Sequence, residues 1–145
     1  MKIANHNETV FWLLTQVMFQ TKHRIIEIAE AHGLTLMQSQ TLIMLKANEP
    51  LPMRMLSDTF MCDASNVTGL ADRLEARGLI KRQDHPTDRR IKLIALTTEG
   101  IELRDKIMAE TVAAEAKRLN PVLSVAEREA LHAMLVKILA VGEGV

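Results

Sequence analysis

Apolar residues fall at helical spacing along most of this chain, and the breaks in that spacing mark where it turns. From about Asn7 to Ala31, Val10, Leu14, Val17, Met18, Ile25 and Ile28 line one side of a predicted helix. Phe11, Trp12, Leu13 and Phe19 line the other side. A helix apolar on two faces needs cover on both. Aromatic residues make up only 3% of the chain, so a partner subunit is the simplest cover for Trp12 and Phe19. His32-Gly33 ends this helix as a C-cap. Thr35-Leu36-Met37-Gln38 is a capping box that opens a second helix to about Ala47, with Leu42, Ile43 and Leu45 inward. Asn48-Glu49-Pro50-Leu51-Pro52 breaks the pattern. It puts Pro52 in the first turn of a third helix, where a missing N–H costs nothing. That helix, Met53 to Phe60, is expected to bury Met55, Leu56 and Phe60.

Between Ser57 and Thr97 the period changes. After the turn Met61-Cys62-Asp63-Ala64-Ser65, either Asp63 or Ser65 can cap a helix that runs to Arg77. Val67, Leu70, Ala71 and Leu74 form its inward stripe, and Gly78 ends it. Leu79–Arg82 and Ile91–Leu96 read as two short strands around the charged connection Asp84-His85-Pro86-Thr87-Asp88-Arg89-Arg90. A helix followed at once by a basic-tipped β-arm is the layout of a winged helix-turn-helix. Thr98-Glu99-Gly100 begins a long helix, about 98–119, stopped by Asn120-Pro121. A second capping box, Ser124-Val125-Ala126-Glu127, opens the last helix, whose stripe is Leu131, Met134, Leu135, Ile138 and Leu139. The expected architecture is mainly α with a small β-wing. Residues 35–97 form the winged lobe, and residues 1–31 and 98–145 form dimerisation helices within one domain.

Charge refines this picture. Lys and Arg total 18, as do Asp and Glu, so the chain is neutral overall. From Arg73 to Lys92, however, seven basic residues face three acids. Screening confines a charge's influence to roughly 10 Å, so a local patch is enough to bind phosphates. The single cysteine, Cys62, excludes an intrachain disulfide and suits a reducing compartment. The opening residues carry no signal-peptide core. The longest apolar run, Val10–Leu14, is five residues, against about 20 for a membrane span. These features lead to the expectation of a cytoplasmic protein without membrane contact. His6, His23, His32, His85 and His132 show no pair at ligand spacing. No catalytic triad, paired acids or Gly-rich phosphate loop is present, so no enzyme activity, metal or cofactor is expected.

The block Ser65–Arg90 resembles the MarR family of bacterial transcription regulators. The resemblance lies in Asn66 through Arg82 as recognition helix and first wing strand, in Asp84 through Arg90 as the wing, and in Leu96-Thr97-Thr98-Glu99-Gly100 as the return strand and next helix start. Leu34-Thr35 through Gln40 fits more weakly, while the order of elements fits along the whole chain. The resemblance implies a homodimer on double-stranded DNA carrying an inverted-repeat operator. It also implies a regulator, most often a repressor, released by a small aromatic or anionic ligand at the junction of lobe and dimer helices.

Carried onto this chain, the resemblance assigns DNA contact to Ser65, Asn66, Thr68, Gly69, Arg73, Asp88, Arg89 and Arg90. Without it, the polar residues are a solvated first helical turn and a charged turn. Arg73 suits a phosphate, a guanine or a surface ion pair. One wing arginine would enter the minor groove, and an arginine-to-aspartate contact would clamp the wing to the helix. Asp63 is the family's helix-start acid for that clamp, Asp88 the nearer alternative, and Arg89 and Arg90 are not distinguished. Trp12, Met18 and Phe19 suit either dimer packing or a ligand pocket. Cys62 suits a small buried hydrophobe more than a redox switch at a helix start. An architectural or protein-interaction winged helix without ligand response is the competing reading.

Overall fold

The computed structural model describes residues 6–142, with side chains for residues 9–140. The side chain of His6 and residues 1–5 lie outside them. Among the described residues six helices and three short strands follow in order: α1 (His6–Ala31), α2 (Leu36–Met44), β1 (Leu51–Pro52), α3 (Met53–Phe60), α4 (Ala64–Ala76), β2 (Ile80–Asp84), β3 (Lys92–Leu96), α5 (Thr98–Leu119) and α6 (Val125–Gly142). No helix among the described residues is long and apolar enough to cross a membrane.

The chain divides into two compact units, Met1–Thr111 and Val112–Val145. The first holds the core. Leu42 and Leu45 from the α2 segment, Leu56 from α3, Val67, Leu70, Ala71 and Leu74 from α4, and Ile80, Ile94 and Leu96 from the sheet are all buried together. Ala29 and Ile107 reach the same cluster from α1 and α5. The inward stripe expected of α4 is therefore the stripe observed. Ile43 and Met55 are exposed instead of inward. On α2 the space is filled by Ser39 and Thr41, both wholly buried, and Thr41 donates its hydroxyl to Met37 O.

The capping box at Thr35 forms as expected: Thr35 Oγ1 accepts from Gln38 N, and Gln38 Oε1 accepts from Thr35 N. α2 ends at Met44, three residues before the expected end at Ala47. Arg104 of α5 donates to Leu45 O at 3.0 Å. The chain then turns through a Lys46–Glu49 bridge with Asn48 in the left-handed region. This early turn brings Leu51-Pro52 alongside Ile94 and Leu93 as β1, an edge strand where the sequence pattern predicts only a break between helices. Proline is tolerated there because an edge strand need not donate on its outer side. Pro52 thus precedes α3 as its N-cap instead of sitting in its first turn.

β2 and β3 pair antiparallel from Ile80↔Leu96 to Asp84↔Lys92 and form the wing. At its base Thr97 N donates to Leu79 O, and Thr97 Oγ1 donates to Gly78 O while accepting from Gly100 N. One threonine thereby closes the sheet and starts α5.

The N-terminal half of α1 makes no core of its own. Val10 through Leu14 and Val17 through Phe19 are all exposed, and only its C-terminal half enters the cluster. Within the second unit, the Ser124–Glu127 capping box forms, and hydrogen bonds from Ser124 hold the Glu127 carboxyl below its usual range. On α6, Met134, Leu135, Val136, Ile138 and Leu139 are exposed. Among the described residues, the N-terminal part of the α1 stripe and most of the α6 stripe are exposed, while Ile28 of the α1 stripe packs on the core.

Candidate nucleic-acid interface

α3 and α4 are joined by a tight turn at Met61, whose left-handed backbone (φ 48°) ends α3. Asp63 is the N-cap of α4, so the helix starts one residue before Ser65. The Asp63 side chain makes no capping hydrogen bond. Ser65, Asn66, Thr68 and Arg73 are exposed, and Gly69 is half-buried.

The expected contact residues occupy two flanks of α4. Ser65, Asn66, Gly69 and Arg73 border a concavity of about 620 Å³ shared with Thr35, Leu36, Met37 and Cys62. Thr68 lies on the opposite flank, facing the wing across cavities of about 470 and 520 Å³. Its hydroxyl already donates to Ala64 O, which leaves it an acceptor toward any further partner. Cys62 is half-buried against the core.

The link between the wing and α4 is made by Arg82, which the sequence pattern marks only as a strand residue of the basic patch. From β2 its Nη2 donates to Asp72 Oδ1 at 2.6 Å and to Thr68 O at 3.1 Å, and its Nη1 donates to Glu75 Oε2 at 2.8 Å. Arg82 N adds a bond to Glu75 Oε1. Its acceptors stand at 68, 72 and 75, one ridge of the helix. Asp63 is not among the acceptors of Arg82. The spacing of Thr68, Asp72 and Glu75 was the available signal, but it names no partner by itself.

In the wing, Arg90 is gripped by Asp88. Arg90 N and Nε donate to Asp88 Oδ1 and Nη2 to Oδ2, each at 3.0 Å. These bonds hold the Asp88 carboxyl below its ordinary 3.8 and raise Arg90 above its usual value. A lowered carboxyl stays ionised above the ordinary range, so the pair is whole at neutral pH. It is lost only as pH falls through that lowered value. Arg89 is exposed beside it. Lys92 pairs with Asp84 across the strands. Among the described residues no group of three or more His, Cys, Asp or Glu could hold a metal ion.

A helix presented beside a basic arm is the geometry of a major-groove reader with a flanking contact. Comparison with known proteins agrees. The profile of the MarR family matches residues 32–91. The regulator MhqR of Bacillus subtilis is 31% identical over 107 residues, 74% of this chain and 73% of that protein. The chain belongs to the MarR family. The Bacillus subtilis repressor MdtR is also 31% identical, over 83% of this chain and 78% of its own length. Among solved MarR-like structures, a mutant of Staphylococcus aureus MepR bound to an oligodeoxyribonucleotide superposes with TM-score 0.63 at 26% identity, covering 90% of this chain and 96% of that one. CouR of Rhodococcus jostii, bound to p-coumaroyl-CoA, gives 0.71 at 27% identity, covering 91% and 90%. This MarR-family chain is thus a DNA-binding transcription regulator with a winged-helix lobe.

Gly69 sharpens the assignment of α4. A Cβ built there meets nothing within 4 Å, and its φ is not positive. Glycine in mid-helix costs about 1 kcal/mol relative to alanine, and nothing inside the protein requires it. Gly69→Ala should therefore raise the melting temperature, and it should weaken DNA binding if, as the resemblance implies, this surface of α4 meets the groove. Thermal melts and DNA titrations check the two signs separately. A stabilised variant with undiminished affinity would show that Gly69 does not face the duplex.

Proposed function

We propose that this chain acts as a homodimeric repressor that reads an inverted-repeat operator and is released by a small aromatic or anionic ligand. The observation that carries the dimer is the uncovered apolar surface of α1, including Trp12 and Phe19 at 61% and 62% exposure. A monomer rarely leaves so continuous an apolar stripe in water, and a second copy supplies a matching one by symmetry. On DNA, Ser65, Asn66, Gly69 and Arg73 meet base edges and phosphates from one flank of α4, and Thr68 from the other. Arg90, with Asp88 fixing its orientation, enters the minor groove. A pre-ordered guanidinium loses less side-chain freedom on binding than a mobile one. Arg89 adds charge beside it.

The ligand reading shifts with the structure. Trp12, Met18 and Phe19 lie along the exposed face of α1, which suits dimer packing better than a pocket. The cavity of about 520 Å³ beneath the wing has an apolar floor of Met53, Val67 and Ile91 and a basic rim of Arg54, Arg90 and Lys92. That combination suits a small aromatic anion. An occupant there would bias the wing and recognition helix away from their DNA-bound arrangement, by no more than its differential affinity for the two states.

The test uses a duplex selected by the protein from a random pool. Asn66→Ala and Arg90→Ala should each weaken binding to it by roughly tenfold, the ordinary effect of one lost specific contact, with the sedimenting mass of a dimer unchanged. Full affinity in both variants would remove these residues from the interface. Selection of no preferred sequence, with binding governed by salt alone, would favour the architectural reading.

A further inference from the structure

α1 has an electrostatic defect at its C-terminal end. No basic residue lies in its last turn, and Glu30 stands there instead. A helix C-terminus concentrates unpaired carbonyls and partial negative charge, and an acid at that end adds to the repulsion. The cation that answers this comes from another helix. Arg77, the residue that closes the recognition helix, donates from Nη1 to Gly33 O at 2.6 Å and from Nη2 to His32 O at 3.1 Å. Gly33, in the left-handed region (φ 67°), turns those carbonyls outward to meet it. The same turn is tied to α5 by His32 Nε2 and Glu110 Oε2 at 2.8 Å.

We infer that Arg77 is a positioning residue that latches the recognition helix to the end of α1 and so sets the separation of the two recognition helices in the dimer. This inference rests on the dimer reading above. From Phe19 to Ala31, α1 is a rigid rod of about 18 Å, with the uncovered apolar face toward one end and the latch beyond the other. Whatever partner covers that face fixes the rod, and Arg77 fixes the recognition helix to the rod. A fork donating to two successive carbonyls defines an orientation as well as a distance, which a single ammonium cannot do. The guanidinium is engaged inside the chain, so its role is distinct from that of a phosphate contact.

The full-length chain tests this with Arg77→Ala and Arg77→Lys. Three kinds of DNA are used: the inverted-repeat duplex selected by the wild-type chain, the same duplex with the half-sites moved by one or two base pairs, and a duplex with one half-site. Both variants should keep the dimer mass and bind the single half-site nearly as wild type. On the inverted repeat they should lose about tenfold, an ordinary coupling strength between sites, and their preference among spacings should flatten. The slope of affinity against salt should not change, because no phosphate contact is lost.

Wild-type spacing preference and affinity in both variants would overturn the latch. So would full rescue by lysine together with a salt slope reduced by about one in Arg77→Ala, the signature of a phosphate contact. If the alanine variant does not fold, the lysine variant decides alone. A monomeric mass for the wild type would remove the dimer reading and the spacing role with it, whereas a dimer with unchanged spacing preference removes only the latch.

Discussion

Gly100→Ala is expected to destabilise the protein by at least about 3 kcal/mol, an overpacking cost without a flexible neighbour to absorb it. A Cβ at this position would stand 1.9 Å from Leu79 O and 2.9 Å from Leu79 C, with Leu96 Cδ2 at 3.2 Å. The leucine side chain could move, but the carbonyl could not. It belongs to the residue that joins the recognition helix to the wing, and it accepts the hydrogen bond from Thr97 N that closes the sheet. Relief therefore requires α5 to withdraw from the base of the wing, and Gly100 N would lose Thr97 Oγ1 as it moved. Helix propensity acts in the opposite direction, favouring alanine by about 1 kcal/mol, so the sign of the change is diagnostic. Against a total stability of roughly 5–15 kcal/mol, the expected loss is large enough to see in chemical denaturation. A variant as stable as the wild type would mean that the close approach of α5 to Leu79 is not maintained in solution.

The contrast between Gly69 and Gly100 shows what could be read from the residues alone. Both are glycines in helical segments with the same intrinsic cost. One faces open space and the other a backbone carbonyl from 21 residues earlier in the chain. Local pattern cannot separate them, because the difference lies in what crosses from elsewhere. The long elements were legible for the opposite reason: apolar spacing and capping boxes are local, so α3 and α5 begin and end where the pattern places them. β1 was not legible. Two residues carry no period, and a Leu-Pro pair becomes a strand only because β3 lies beside it. Ile43 and Met55 were misplaced because neighbours on a helix differ by 100° in direction, and two wholly buried polar residues, Ser39 and Thr41, took the expected apolar side of α2.

The candidate interface follows the same division. The exposed set on α4 was readable from what its inward stripe left over. The wing charges were visible as a cluster, but their pairing was not. Asp88 and Arg90 are two residues apart and proved to be partners within the wing. Arg82 reaches acceptors on another element altogether, and charge counting gives no means of choosing among the acids within its reach. The dimer helices carry a related ambiguity. Trp12 and Phe19 could be assigned a need for cover, but not a surface that supplies it.

Arg82→Ala should produce the largest loss of DNA binding of any single change within the lobe, roughly thirtyfold or about 2 kcal/mol. Three side-chain hydrogen bonds to Thr68 O, Asp72 and Glu75 disappear together. The guanidinium is only 26% exposed, while Asp72 and Glu75 are 59% and 40% exposed. Solvent screening therefore limits the direct cost to folding to about 1 kcal/mol. The larger consequence falls on the interface. β2 keeps its pairing with β3, but the wing loses its hold on α4, so the two elements proposed to contact DNA no longer share one orientation. Asp72 and Glu75 are also left as unneutralised acids on the helix proposed to approach phosphates. A second variant separates these effects. Adding Asp72→Asn and Glu75→Gln to Arg82→Ala removes the stray charge without restoring the link. If repulsion dominates, affinity returns and the salt dependence recovers. If orientation dominates, affinity stays low at every salt concentration. Arg82→Lys keeps the charge but cannot span three acceptors, and it should fall between wild type and alanine. Wild-type DNA affinity and melting temperature in Arg82→Ala would show that the wing holds its place without this clamp.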